Sequence, residues 1–383
     1  MKRVYLDNAA TSYPKPPEIW DAVLKAGRDD GANAGRSSYR TAEAAGGVLD
    51  DARVRLARLL GGEPNRVVLT LNATDALNIA LKGFLRPDDH VITSIMEHNS
   101  VRRPLAGLER ERRVRVTEVP ADRLGRIDPD AVRHAVTPGT RMVALVHASN
   151  VCGTMQPVET VGQICREHGI ALLVDAAQTA GSLDIDMKAL GIGLLAVPGH
   201  KGLLGPLGTG ALLLAPEIEL TPWREGGTGS LSTDRNQPTT LPERLEAGSP
   251  NVPGIAGLAA GLRHLETIGL AAIRQRLRTL SDRLYARLVE IPGIELGGDP
   301  DLDAREAIFP VRLAGYRPDE LGILLDSAYG VEVRSGLHCA PGAHEALGTF
   351  PEGSVRISPG PFTTEGEVDA VAAALEDLAG GLG

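Results

Sequence analysis

The chain has 383 residues, 43% of them apolar, which is enough to bury a large core with a smaller unit attached. Its formal charge of −9 argues against nucleic acid or an anionic membrane as the main partner, since neither gains from an acidic protein. Cys152, Cys165 and Cys339, odd in number and widely spaced, argue against a disulfide framework and a zinc site, and with no basic-then-apolar leader and no spanning-length apolar run a soluble, cytoplasmic chain is expected.

In chain order, residues 4–6 read as a short strand that passes through Asp7, Asn8, Ala9, Ala10 and Thr11 into a proline-rich stretch at 13–17, an extended arm. Helical spacing follows at 18–26 and 41–60. Between them lies a polar loop whose Arg36 is either a site residue or a helix-flanking charge. Val67-Val68-Leu69-Thr70 is a compact strand, and Asn72-Ala73-Thr74-Asp75 then opens an amphipathic helix to about residue 84. Exposed amides and the positive end of the helix dipole suit an anion there, with the Thr74 hydroxyl as a further donor; an ordinary capped helix carries the same signature.

A strand at 91–95 ends at Met96-Glu97-His98-Asn99, where His98 can lie flat against an aromatic ring or serve as a structural histidine. Helix 101–112, strand 115–119, helix 129–136 and strand 142–147 come next, the last ending in Ala148-Ser149-Asn150. The apolar run 170–174 ends in Asp175-Ala176-Ala177-Gln178. In open α/β sheets ligands sit beyond the carboxyl ends of the strands, so Asp175 is aimed at a site. A second run, 192–197, delivers Pro198-Gly199-His200-Lys201-Gly202 to a glycine-rich turn. A lysine at the end of a core strand is partly desolvated, which lowers its pKa and frees its amine to react with an aldehyde cofactor.

Pyridoxal phosphate is the natural candidate, because its ring nitrogen needs an acid partner and Asp175 supplies one. Singly, Lys201 could be a surface lysine and Asp175 a helix cap. The alternation from Val67 to Ala215 implies a predominantly parallel sheet covered on both faces. Residues 216–253 form a long irregular stretch of the kind that is functional or an interface, carrying Glu246-Ala247-Gly248-Ser249-Pro250-Asn251. Helices are expected at 255–268, 270–290, 318–328, 343–347 and 364–378, and strands at 307–313, 331–334 and 354–358. The chain has no Gly-x-Gly-x-x-Gly between an early strand and helix, which argues against a nicotinamide-dependent dehydrogenase.

Three motifs, Asp175-Ala176-Ala177-Gln178, Gly199-His200-Lys201 and Arg334-Ser335-Gly336-Leu337-His338-Cys339-Ala340, resemble those of the pyridoxal-phosphate enzymes of fold type I, within them the class V aminotransferase-like cysteine desulfurases, and most of all the group II branch. The resemblance runs from Tyr5-Leu6-Asp7-Asn8-Ala9-Ala10 to Ser354-Val355-Arg356-Ile357-Ser358. It implies an arm at 1–15, a large cofactor-binding domain at 16–260 with a mostly parallel sheet covered by helices, and a smaller α/β domain at 261–383 with the cysteine loop.

By that likeness Lys201 carries the cofactor as a Schiff base, Asp175 pairs with the ring nitrogen and His98 stacks on the ring. Asn150 contacts the ring hydroxyl and the substrate. Ala73, Thr74, Gln178 and His200 hold the phosphate, and Ser249 reaches the phosphate of a neighbouring subunit in a homodimer. Arg356 and Arg334 bind substrate, Arg356 as the clamp for its carboxylate. Cys339, in a Gly- and Pro-bounded loop beside His338 and Arg334, is the nucleophile that takes sulfur from L-cysteine as a persulfide and leaves L-alanine, a sulfur-acceptor protein then collecting it. The neighbouring readings are a selenocysteine lyase, another class V lyase or aminotransferase in which Cys339 is dispensable, and an inactive cofactor-binding scaffold. Two positions depart from the family pattern: Pro198 stands where a hydroxyl residue often helps bind phosphate, and Tyr39 where a histidine is common.

Overall fold

The computed structural model describes residues 3–29, 31–34, 39–229 and 233–381; Arg36 lies outside them. The strands are β1 (Val4–Tyr5), β2 (Val67–Thr70), β3 (His90–Ser94), β4 (Arg115–Val119), β5 (Thr140–Val146), β6 (Ala171–Asp175), β7 (Leu194–Pro198), β8 (Gly210–Leu214), β9 (Ile294–Leu296), β10 (Phe309–Leu313), β11 (Val331–Glu332), β12 (Arg334–Gly336) and β13 (Ser354–Ile357). The α-helices are α1 (Pro17–Arg28), α2 (Arg40–Leu60), α3 (Ala73–Phe84), α4 (Asn99–Arg112), α5 (Pro129–Ala135), α6 (Val158–His168), α7 (Val252–Ile268), α8 (Leu270–Leu288), α9 (Pro318–Tyr329), α10 (Pro341–Leu347) and α11 (Glu365–Gly380).

The large sheet has the order β2-β8-β7-β6-β5-β3-β4, with β8 antiparallel to both neighbours and the other pairs parallel. The interiors of its central strands β5, β6 and β7 are near-continuous apolar runs because both faces are covered, and the pleat sends alternate residues to opposite sides. Val174, Leu195 and Val197 join the apolar cluster that includes α2, α6 and α7 residues, while Leu173, Leu194 and Ala196 join the cluster of α3 and α4. Parallel pairing also brings the carboxyl ends of β5, β6 and β7 to one edge, which places Asn150, Asp175 and Lys201 together.

A second sheet, β12-β13-β10-β9, is antiparallel, and α8, α9 and α11 contribute to its own apolar cluster. The expected boundary between residues 260 and 261 falls inside α7, whose buried residues stay with the large core as far as Leu265. Helix α8 belongs to both cores: Ile273 and Leu277 pack in the large one, Leu280, Leu284 and Leu288 in the small one.

The expected strand at 331–334 is two strands. Val331 and Glu332 pair in parallel with Val4 and Tyr5, whereas Arg334 pairs antiparallel with Arg356, so the chain changes partner at Val333. Strand β9 has no counterpart among the expected elements; its three residues, Ile-Glu-Leu, are too few to show alternation. Among the described residues no helix is long and apolar enough to cross a membrane. Leu6, fully buried in the small core, fastens the arm, and Leu6→Ala is expected to cost about 2–5 kcal/mol, read as a lower urea midpoint.

Candidate active site

Lys201 follows β7 through a turn in which a side chain at Gly199 would not fit: a Cβ there would lie 2.1 Å from Thr209 Oγ1. The carbonyl of His200, one bond from Lys201, accepts from the Ser12 N–H at 3.1 Å, Thr11 Oγ1 at 3.0 Å and Lys15 Nζ at 3.1 Å. The arm therefore fixes the lysine's backbone. Burial, to which Arg356 and Arg334 add repulsion and which Asp175 opposes, pulls the Lys201 amine down to about 8.

Asp175 ends β6, 3% exposed, and its Oδ1 accepts from the Ala177 N–H at 2.9 Å. Burial raises its pKa against the pull of that N–H and of Lys201. His98 caps the start of α4. The Ser100 N–H donates to its Nδ1 at 3.0 Å, so the neutral ring carries its proton on Nε2. Burial, with the charges of Lys201, Arg334 and Arg356, holds His98 down to about 4. Ser100 Oγ also bonds Thr74 Oγ1 at 2.7 Å, which links His98 to the first turn of α3. Asn72 caps that helix by accepting from the Asp75 N–H, and the N–H groups of Ala73 and Thr74 have no acceptor within the helix.

Ala73, Thr74, His98, Asn150, Asp175, Gln178, Pro198, His200, Lys201, Arg334 and Arg356 line one cavity of about 220 Å3. Three buried polar atoms among them have no partner: Asn150 Oδ1, His200 Nδ1 and Arg356 Nε. A buried polar atom without a partner is costly, and three in one cavity mark a place for a polar ligand. Their chemistry fits pyridoxal phosphate. Asn150 Oδ1 suits a ring hydroxyl, His200 Nδ1 and the start of α3 suit a phosphate, and Asp175 suits a protonated ring nitrogen.

Arg356 is 1% exposed, donating from Nη1 to the Asn150 carbonyl at 3.0 Å and from Nη2 to Asp7 Oδ1 at 2.5 Å. Gln178 Nε2 donates to the Ala9 carbonyl at 3.1 Å. Cys339 is exposed, while Cys152 and Cys165 are buried. Arg334 Nη2 approaches Cys339 Sγ at 3.5 Å. His338 is not a partner for the thiol: its ring turns inward, 2% exposed, with one nitrogen on the Arg334 carbonyl and the other on His344. Ser249 and Tyr39 stand apart. Both are exposed; Ser249 lines a second cavity of about 700 Å3, with Arg53 and Glu246, that shares no lining residue with the first.

Asp7, Ser100, His344 and Thr349 were not singled out as site residues from the sequence. Asp7 stood in the quoted arm motif, but a carboxylate whose cation lies 349 residues away leaves no local signal. Buried Glu97, beside His98, is pushed up to about 8 by desolvation; its Oε1 accepts from Ser94 Oγ at 2.6 Å and the Val146 N–H at 3.0 Å.

The model of the aminotransferase class-V family matches residues 4–371. The chain belongs to the aminotransferase class-V family. It is 36% identical to a probable cysteine desulfurase of Methanothermobacter thermautotrophicus over 98% of this chain and 95% of that one. The apo structure of a cysteine desulfurase from Thermococcus onnurineus superposes with a TM-score of 0.93 at 31% identity, covering 99% of this chain and 95% of that one. The S-sulfonic acid form of the Escherichia coli cysteine desulfurase CsdA superposes at 0.88 and 30% identity, with the same coverage.

The Asp175 carboxylate raises the Lys201 pKa, so Asp175→Asn lowers it further. Acetylation of Lys201, followed by mass spectrometry across pH in protein free of cofactor, is expected to reach half its maximum near pH 8 and to shift to lower pH in Asp175→Asn.

Proposed function

We propose that the protein is a cysteine desulfurase that uses pyridoxal phosphate to convert L-cysteine to L-alanine and holds the sulfur on Cys339 as a persulfide. The observation that carries this reading is an exposed thiol 3.5 Å from the guanidinium of Arg334, a residue that lines one cavity together with Lys201, Asp175 and Arg356. The relatives named cysteine desulfurase at 30–36% identity over nearly the whole chain support it.

Lys201 would hold the cofactor through its amine, with Asp175 at the ring nitrogen, His98 over the ring, Asn150 at the hydroxyl, and Ala73, Thr74, Gln178 and His200 about the phosphate. When bound, pyridoxal phosphate supplies an electron-withdrawing ring that stabilises negative charge at the substrate Cα. Arg356 would orient the substrate by its carboxylate, and Arg334, in the same cavity wall and 3.5 Å from the thiol, would bind it as well. Once the substrate amine has taken its place on the cofactor, the freed Lys201 amine, at about 8 and so neutral in a useful fraction near neutral pH, would take the Cα proton as a base. Cys339, beside the Arg334 guanidinium, would attack the substrate sulfur as its thiolate, the form of a thiol that acts as nucleophile. The carbon–sulfur bond breaks as the sulfur–sulfur bond forms, and proton return to carbon completes L-alanine. The sum balances: L-cysteine and the Cys339 thiol give L-alanine and the Cys339 persulfide.

Two copies acting together complete the reading. Exposed Ser249 does not line the cavity that holds Lys201 in its own chain, in keeping with a homodimer in which it reaches the neighbouring subunit's phosphate. A thiol acceptor or acceptor protein would collect the sulfur, and the three free cysteines suit the reducing cytoplasm.

Alanine release from L-cysteine, with excess reductant and added pyridoxal phosphate, tests this directly. The parent is expected to release alanine, and Cys339→Ala to lose that activity while binding the cofactor as before. Equal release from both would point to a lyase in which the thiol is dispensable, and none from either would sink the desulfurase reading. In solution the mass is expected to be twice that of the chain, and Ser249→Ala to weaken cofactor retention without dissociating the dimer.

A further inference from the structure

His338 and Cys339 are consecutive non-glycine residues in the left-handed region, with φ of 50° and 59°. That conformation is sparsely populated for such residues and persists only where the surroundings impose it. Two bonds hold the turn from the site: Asn150 Nδ2 donates to the His338 carbonyl at 2.7 Å, and the Asn99 N–H to the Cys339 carbonyl at 2.8 Å.

The third restraint is a directed chain of hydrogen bonds inside the loop. His338 Nε2 lies 3.2 Å from the Arg334 carbonyl, which can only accept, so Nε2 carries the proton. In the neutral ring Nδ1 must then accept, which makes His344 Nε2 the donor at 3.2 Å. His344 Nδ1 must accept in turn, and Thr349 Oγ1 donates to it at 2.7 Å. Both rings are buried, with centroids 5.4 Å apart and planes inclined by 24°. Burial depresses both histidines, His344 to about 4, which keeps the neutral forms on which this direction depends. The chain thus runs from Thr349 beyond α10 to Arg334, the residue whose guanidinium meets the thiol, and spans the base of the loop that presents Cys339.

We propose that His344 is a positioning residue for sulfur transfer: by donating to His338 it fixes that ring against the Arg334 carbonyl, and so holds Cys339 in the left-handed turn beside the Arg334 guanidinium. The role in turnover rests on the desulfurase reading; the role in holding the thiol does not.

Two readouts separate these. Cys152 and Cys165 are buried, so iodoacetamide labelling of the folded chain reports on Cys339. His344→Leu is expected to change that labelling rate at least about threefold, because the left-handed turn that sets how the thiol is presented is released. The same variant is expected to lower kcat for alanine release about tenfold with KM for L-cysteine held, since Lys201 and Arg356 are untouched. His344→Gln, whose amide N–H can replace the Nε2 donor, is expected to restore both values to within about twofold. The proposal falls if a folded His344→Leu labels and turns over like the parent, if Gln fails as badly as Leu, or if the loss lies in KM alone. Should His344→Leu not fold, Thr349→Val decides: it removes only the hydroxyl that orients the His344 ring, and parent-like labelling there overturns the proposal. A parent that releases no alanine removes the desulfurase reading and leaves the labelling comparison intact.

Discussion

A guanidinium buried to 1% exposure must be answered by the protein, and the way Arg356 is answered ties the molecule together. Its charge meets Asp7 from the arm, and its second arm of donors meets the carbonyl of Asn150, which follows β5 of the large sheet. Arg356 itself belongs to β13 of the small sheet. Three segments remote in sequence are thereby joined at one ion. The arm is secured alongside it: the Ala9 N–H donates to Ser358 Oγ, the Asn8 N–H to the Ser358 carbonyl, and β1 pairs with β11. Arg356 is a structural junction as well as a cavity wall, and one orphaned nitrogen, Nε, remains for a ligand.

Around that junction desolvation sets the protonation states. Burial lowers Lys201 to about 8 and His98 and His200 to about 4, and raises Asp175. The histidines are therefore neutral hydrogen-bonding rings, and the cations are Lys201, Arg334 and Arg356. A cavity with that balance accommodates an anion and still leaves the lysine within reach of its neutral form. Parallel strands make the arrangement possible, because their carboxyl ends gather polar groups at one edge while the strand interiors stay apolar.

The large sheet was legible from sequence because its strands are short apolar runs that end in chemistry: Val174 before Asp175, Val197 before His200 and Lys201. The grouping of Thr74, His98, Asn150, Asp175, Gln178, His200, Lys201, Arg334 and Arg356 around one cavity was legible for the same reason, together with the likeness to a known family. What escaped was set by pairing across the chain. The break at Val333 depends on which strand each half meets, and nothing in Val-Glu-Val-Arg announces a change of partner. Cys339 was legible as an exposed thiol near Arg334. The direction of the His338 ring was not, because it is fixed by His344 and Thr349, outside the recognisable motif.

The arm also bears on the order in which the molecule comes together. Asp7 and Arg356 are separated by 349 residues, as are Ala9 and Ser358, and the backbone of β1 finds its ladder only at β11. On the ribosome the arm emerges long before its counter-ion, its hydroxyl acceptor or its partner strand exists. Contacts of such separation form late, so the large sheet can assemble while its lysine turn still lacks the donors of Thr11, Ser12 and Lys15. The nascent protein would then hold a formed core around an unfinished cavity, and docking of the arm would be the event that closes both the chain and the candidate site.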